Sequence, residues 1–136
     1  MKMTVLSPGK VREPWLQEGI LEYVKRLGRY CQVLLQQVDD VPDSWPADKA
    51  IAEEGRRLLA RIKPQDWVIA LDLSGSQPDS RELAECLPRW FQAGGSALVF
   101  IIGGSNGLAP AVVERAQAKL CLSRMTFTHQ MARLLL

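Results

Sequence analysis

The sequence predicts an α/β protein in which helices cover both faces of a parallel sheet. Short β-like runs alternate with helical stretches along the chain, and strands joined by helices pair in parallel through crossover connections. Two of these runs, "DWVIALDL" and "ALVFII", are almost continuously apolar, as expected for strands buried on both sides. The 136 residues suffice for one domain with a substantial core, and they contain no internal repeat or linker. We therefore expect a single domain over residues 1–136.

The composition is that of an ordinary globular protein, with 47% hydrophobic and 24% charged residues. A net charge of only +2 does not by itself predict a nucleic-acid-binding protein. Cys31, Cys86 and Cys121 are odd in number and share no CxxC spacing, which argues against a disulfide framework and against a zinc or other metal site. The sequence shows no signal peptide and no membrane span, so we expect a cytoplasmic protein without a membrane partner.

The first strand and helix are predicted from an apolar run and a helical stripe. "MTVLS", Met3 to Ser7, is β-like and ends at Pro8-Gly9. In the following segment Pro14 suits the first turn of a helix and Gly28 suits its end. The apolar residues between them recur at helical spacing: Leu16, Ile20, Tyr23, Val24 and Leu27.

The second strand is predicted at Cys31 to Val38, followed by a polar connection with two prolines. A second helix follows, in which Ile51, Leu58, Leu59 and Ile62 share one face. Its basic residues are expected on the opposite, exposed face: Arg56, Arg57, Arg61 and Lys63.

The third strand is predicted at Asp66 to Leu73, and the next helix begins at Asp79, with Glu82 three residues later as in a capping box. That helix carries Leu83, Cys86, Leu87 and Trp90 and ends near Gly94-Gly95. Trp15, Trp67 and Trp90 lie on apolar stripes or at strand edges, so they are expected in the core, whereas Trp45 in a loop is the tryptophan expected to be exposed.

The last third of the chain is predicted to hold two strands and two helices. "ALVFII" forms the fourth strand and "APAVVERAQAKL", residues 109–120, the next helix. "CLSRM", residues 121–125, is a possible fifth strand, and "THQMARLLL" begins a final helix.

The loops that follow the strands are the expected ligand site, because ligands of such sheets bind at the carboxyl ends of strands. "IIGGSNG" matches neither the dinucleotide fingerprint GxGxxG nor a Walker loop. Its glycines could simply form a tight strand-to-helix turn. However, they follow the most apolar strand, and the loop "LSRMTFTH" lies one crossover later. A pocket of backbone amides and apolar side chains suits a flat heterocycle better than a triphosphate.

"VFIIGGSNGL" followed by "LSRMTFTHQMARLLL" resembles the SPOUT class of S-adenosylmethionine-dependent RNA methyltransferases. More closely, the chain resembles the ribosomal RNA large subunit methyltransferase H family, which methylates N3 of a pseudouridine in 23S ribosomal RNA. The resemblance extends from "MTVLSPGK" through "EYVKRLGRY", "EEGRRLLARIKP" and "ALDLSG" to the last residue.

This resemblance implies a Rossmann-like α/β fold whose C-terminal part forms a deep trefoil knot, a homodimer, and a partner in 23S ribosomal RNA of the large subunit or whole ribosome. It implies S-adenosylmethionine as the cofactor, held in loops of the knot. Carried over position by position, the cofactor contacts fall on these residues: Leu71, Gly103, Gly104, Leu122, Ser123, Arg124, Met125, Thr126 and Phe127.

Methyl transfer to a ring nitrogen requires loss of its proton, so a base or stabilisation of the resulting anion is needed. His129, the only histidine, is the candidate base, and its alternative is a residue that bonds local backbone at a helix start. Arg124 is the candidate for contact with RNA or the anionic base, and Arg133 flanks the same region; the alternative for each is a solvated surface charge. Asp72 could orient a group in the pocket or cap a turn.

The chain stops at "MARLLL", where members of the resembled family continue with a longer final helix and a polar tail that completes the partner's active site. We therefore expect this sequence to lack the end of that helix and the tail. The leading hypothesis is an active methyltransferase. A noncatalytic ribosome-binding or assembly module with the same fold is the alternative, and a generic nucleotide-binding α/β domain is a weaker third.

Overall fold

The computed structural model describes every residue from Met1 to Leu136 and is built around a five-stranded parallel sheet. The strands, in the spatial order β2-β1-β4-β3-β5, are β1 (Lys2–Pro8), β2 (Gln32–Val38), β3 (Trp67–Ser76), β4 (Ala97–Ile101) and β5 (Ala118–Leu120). The helices are α1 (Pro14–Leu27), α2 (Ala47–Leu59), α3 (Ser80–Ala93), α4 (Pro110–Arg115) and α5 (His129–Leu135). The predicted fold class, strands alternating with helices around a parallel sheet, is confirmed. None of these helices combines the length and apolar character that a membrane span requires.

Both faces of the sheet are buried, as the apolar strands predict. On one face Val99 and Ile101 of β4 pack in a cluster with Leu58 of α2 and Val112 of α4. On the other face, Phe100 packs with Phe91 of α3. Successive residues of a strand point to opposite faces, so a strand covered by helices on both sides must be apolar at nearly every position.

Local signals place several helix ends where they were predicted. Pro14 occupies the first turn of α1, and Gly28 caps its end. Asp79 accepts a hydrogen bond from the Glu82 amide at 2.8 Å, and the Glu82 carboxylate accepts one from the Asp79 amide at 2.8 Å. This reciprocal pair is the predicted capping box, which satisfies two amides that a helix start leaves without partners.

The predicted helix at 109–120 and strand at 121–125 are wrong in their bounds. Helix α4 ends at Arg115, and the strand is Ala118–Leu120, directly before the predicted one. Gln117 explains the change, because its amide donates to the Val68 carbonyl at 2.9 Å and its side-chain oxygen accepts from the Val68 amide at 2.7 Å. Pairing with β3 therefore draws residues 118–120 onto the sheet edge and leaves residues 121–125 as a loop.

The burial of the tryptophans differs from the prediction in both directions. Trp67 and Trp90 are half-buried and pack against the Phe100 cluster. Trp45, which was expected to be exposed, is also half-buried, with the Lys49 ammonium 4.1 Å from the centre of its ring. Trp15 is 60% exposed, so its assignment to the core is wrong. Helical spacing places Trp15 in the first turn of α1, where no further element covers it.

Candidate active site

A cavity of about 860 Å³ opens at the carboxyl edge of the sheet. Strands β4, β3 and β5 are neighbours, so the segments that follow them meet there. Their contributions to the lining are Leu71–Leu73 within β3, Ile102–Gly107 after β4, and Leu120–Ser123 with Met125–Ala132 at the end of β5 and after it. The start of α1 adds Glu13, Trp15 and Leu16. The three segments selected from the sequence thus line one cavity, although the first of them belongs to β3, which continues to Ser76 beyond its predicted end at Leu73.

The structure brings nearly all of the predicted site residues together in this cavity. The lining includes Leu71, Gly103, Gly104, Leu122, Ser123, Met125, Thr126, Phe127 and His129. Arg124 is the exception, because it is exposed and is not among the lining residues. Its surroundings suit a contact with an outside molecule better than a contact with a ligand held in the cavity.

The glycine loop, residues 103–107, is closed so tightly that Gly103 has no room for a side chain. A Cβ atom on Gly103 would stand 2.7 Å from the Gly107 carbonyl carbon and 3.0 Å from the Leu108 nitrogen. The Gly107 amide donates to the Gly104 carbonyl at 3.1 Å, and Gly107 has a φ of 87°, which favours glycine. The loop is therefore a tight turn, as the simpler interpretation held. That turn also leaves bare backbone at the wall of the cavity.

The loop after β5 is shaped by short local hydrogen bonds. The buried Cys121 thiol donates to the Ser123 carbonyl at 3.1 Å, and the Ser123 hydroxyl accepts from the Met125 amide at 3.0 Å. Leu73 and Met125 are the most exposed of the large apolar side chains that line the cavity. Asp72 lines the cavity and accepts from the Ser74 amide at 3.0 Å, in the part of β3 between Leu71 and Ser76 where the pairing with β5 is irregular.

His129 is the first residue of α5, which Thr128 caps by accepting a hydrogen bond from the Met131 amide at 3.2 Å. Burial lowers the pKa of His129 below its usual value, and the Arg133 guanidinium lowers it further, while Asp40 and Asp43 act in the opposite direction. The imidazole is consequently neutral at pH 7 and able to accept a proton at the wall of the cavity.

Arg133 has neither of its two predicted roles, a contact with the RNA or the anionic base, or a solvated surface charge. It is only 9% exposed, and its guanidinium donates to the backbone carbonyl of Gly9 at 3.0 Å and to that of Pro8. It joins α5 to the end of β1 and does not line the large cavity. Because an arginine is usually solvated, nothing in the local sequence indicates this buried role.

The glycine loop packs against a buried carboxylate that was not predicted from the sequence. Glu54 of α2 is 8% exposed, and a Cβ on Gly104 would stand 2.5 Å from its Oε2. Burial raises the pKa of Glu54 above its usual value near 4.5, although a hydrogen bond from the Val41 backbone opposes this. Glu54 is next to the half-buried Glu53 on the same helix, and nothing in the local sequence distinguishes the two carboxylates.

We expect Glu54→Gln to be more stable than the unsubstituted protein at neutral pH. In the unsubstituted protein the pKa of Glu54 is raised in the folded state, so as the pH falls the folded state binds a proton before the unfolded state does. The stability that this proton contributes is lost as the pH rises through the folded-state pKa. The advantage of glutamine should therefore shrink as the pH approaches 4.5. Urea unfolding at a series of pH values measures both effects.

Glu53 provides the matched control. Hydrogen bonding to the Arg56 guanidinium lowers the pKa of Glu53 to about 2, so this carboxylate contributes stability at neutral pH that is lost only in acid. Glu53→Gln is thus expected to act in the opposite direction. If Glu54→Gln also lowers the stability at neutral pH, the desolvation argument for Glu54 is wrong.

Comparison with known proteins identifies the family of the chain. The family model described as "Predicted SPOUT methyltransferase" matches residues 1–136. The chain belongs to the SPOUT methyltransferase family. The resemblance drawn from "VFIIGGSNGL" and "LSRMTFTHQMARLLL" is thereby confirmed, and members of this family transfer a methyl group from a donor cofactor.

Three relatives share the name ribosomal RNA large subunit methyltransferase H. The protein of Carboxydothermus hydrogenoformans is 45% identical over all of this chain and 89% of its own length. That of Pelotomaculum thermopropionicum is 43% identical over 98% of this chain and 87% of its own. That of Limosilactobacillus reuteri is 40% identical over all of this chain and 89% of its own. Similarity to this SPOUT group therefore extends over nearly the whole length of each relative.

Proposed function

We propose that this SPOUT protein methylates ribosomal RNA of the large subunit, at N3 of a pseudouridine in 23S RNA, with S-adenosylmethionine as the methyl donor. One observation supports this most strongly: in a chain of this family, the three loops that resemble the cofactor loops line one cavity. The relatives favour an enzyme over a noncatalytic assembly module, because those proteins are named as methyltransferases.

The residues of the cavity fit an adenosine-bearing cofactor. Gly103 and Gly104 present backbone without side chains, and Leu71, Leu122 and Phe127 offer apolar surface for a flat ring. Backbone groups of the same loops would hydrogen-bond the edge of an adenine. When bound, S-adenosylmethionine supplies a methyl group on a sulfonium, ready for transfer to a nitrogen. The cavity of about 860 Å³ has room for this molecule and for an acceptor base.

The side chains around the cavity would position the two reactants and transfer the proton. Holding two reactants in line supplies much of the acceleration of a displacement reaction. His129 would accept the proton from the ring nitrogen, since it lines the cavity and is neutral at pH 7. Arg124, exposed beside the cavity, would contact a phosphate of the RNA.

We expect His129→Ala to lower kcat by roughly 10²-fold or more, as loss of a general base does, with little change in the affinity for the cofactor. In the unsubstituted enzyme the rate should fall as the pH drops through the lowered pKa of His129, because the protonated imidazole cannot act as a base. Full activity in His129→Ala would assign this residue to the structure of the helix start instead.

The proposal extends to assembly and location. We propose that the chain is one SPOUT domain with the trefoil knot of its family and that two copies form a homodimer. The dimer would act on ribosomes in the cytoplasm. Leu73 and Met125 leave apolar surface exposed beside the cavity, as expected where a partner subunit would cover it.

The proposed function is tested by incubating the protein with S-adenosylmethionine carrying a labelled methyl group and with large ribosomal subunits. Label recovered in 23S RNA at N3 of pseudouridine is the expected result. Specific binding of the cofactor without transfer to large subunits or to whole ribosomes would favour the noncatalytic module. Calorimetry that shows binding of ATP but not of S-adenosylmethionine would favour a generic nucleotide-binding domain.

A further inference from the structure

The lining of the cavity includes residues from outside the cofactor loops, which are the three segments after or within β3, β4 and β5. The start of α1 lies far from those loops in sequence, yet it contributes Trp15 and Leu16 to the lining. Leu16 is 2% exposed and anchors this turn in the core, whereas Trp15 is 60% exposed. A large aromatic ring is thus held at the edge of the cavity by a rigid turn that begins with Pro14.

The exposed ring of Trp15 contributes little to the packing of the fold. Aromatic side chains contribute mainly by burying their large surface, and Trp15 leaves most of its surface uncovered. Tyr23 on the same helix is similarly exposed, at 54%, but does not line the cavity. The arginine stacked on Tyr23, with Arg26 5.3 Å from the ring centre, gives that residue a partner on the surface. No charged group is stacked on Trp15.

The proposed reaction supplies a partner of the right chemistry. An enzyme that acts on a nucleobase must reach a base that is out of its stack, and proteins hold unstacked bases against aromatic side chains. The cofactor loops and the start of α1 line the same cavity. We infer that Trp15 is the stacking platform for the target base, which lies between it and the methyl donor.

This inference rests on the proposed function and is tested with three variants of the full chain. Trp15→Ala removes the ring, Trp15→Phe keeps an aromatic face, and Tyr23→Ala removes an equally exposed ring outside the cavity. Loss of a base–aromatic stack should lower kcat/KM for large ribosomal subunits by about tenfold or more in Trp15→Ala. Trp15→Phe should recover most of this loss, and Tyr23→Ala should match the unsubstituted protein.

Two further measurements separate stacking from other roles. Calorimetry should give the same affinity for S-adenosylmethionine in all variants, and sedimentation should give the same mass. An equal loss of cofactor affinity in Trp15→Ala would make Trp15 a wall of the cofactor site, and a lower mass would make it a subunit contact. Unchanged kcat/KM would remove it from recognition. Each of these results overturns the inference.

The failure of the proposed function is distinguishable from the failure of this inference. If the unsubstituted protein transfers no methyl group, the function fails, and RNA binding is then followed by tryptophan fluorescence. Adding a short single-stranded uridine-rich RNA together with S-adenosylhomocysteine should quench the tryptophan fluorescence of the unsubstituted protein. Quenching that persists in Trp15→Phe would come from another tryptophan and would overturn the stacking role.

Discussion

Gly103→Val is expected to abolish binding of S-adenosylmethionine while leaving the parallel sheet folded. A Cβ atom at this position would stand 2.7 Å from the Gly107 carbonyl carbon, closer than such atoms approach backbone, so the glycine loop must move. The two further methyl carbons of valine increase the displacement. Because this loop forms part of the cavity wall, we expect calorimetry to show a loss of affinity of at least about 100-fold, or roughly 2.7 kcal/mol.

Another glycine controls for the general effect of adding a side chain. In the middle of α1, a Cβ on Gly19 would meet only Leu134, at an ordinary contact distance of 3.4 Å. Gly19→Ala should therefore bind the cofactor normally. Circular dichroism and sedimentation of Gly103→Val establish that the protein is folded and assembled. Normal cofactor binding by folded Gly103→Val would show that this loop does not form the cofactor site.

Arg133→Ala is expected to cause the largest loss of stability among the polar substitutions considered. The buried guanidinium donates to the carbonyls of Pro8 and Gly9, two residues that are themselves buried. Hydrogen bonds of charged groups contribute about 1.5–3 kcal/mol each, and the desolvation of the buried guanidinium offsets part of this contribution, so the expected loss is roughly 2–4 kcal/mol. Urea unfolding of the two proteins under identical conditions gives this difference.

Arg124 serves as the matched control for charge. It is an exposed arginine nine positions earlier, and no hydrogen bond ties it to the fold, so Arg124→Ala should change the free energy of unfolding by less than about 0.5 kcal/mol. If both substitutions destabilise the protein equally, the effect of Arg133 is one of net charge and not of its bonds to β1. Because α5 carries His129, Arg133→Ala is also expected to reduce catalysis.

The fold was largely predictable because its signals are local. Apolar runs at "DWVIALDL" and "ALVFII" and the helical stripe through Leu16 and Ile20 are read within single segments. The capping box of Asp79 and Glu82 involves neighbours three residues apart, so it survives without tertiary context. The cavity was also reached from the sequence, since strand ends of a parallel sheet meet at one edge.

Sequence alone therefore determined the fold class, the succession of elements and the three loops of the candidate site, because each depends on short-range periodicity or motif. The tertiary structure decided what depends on contacts between distant segments. Gln117 pairs with Val68 and shifts β5. Arg133 reaches the end of β1, and Trp15 meets the cavity from the opposite end of the chain. No local pattern contains these partners, because burial and pairing arise only when separated parts of the chain come together.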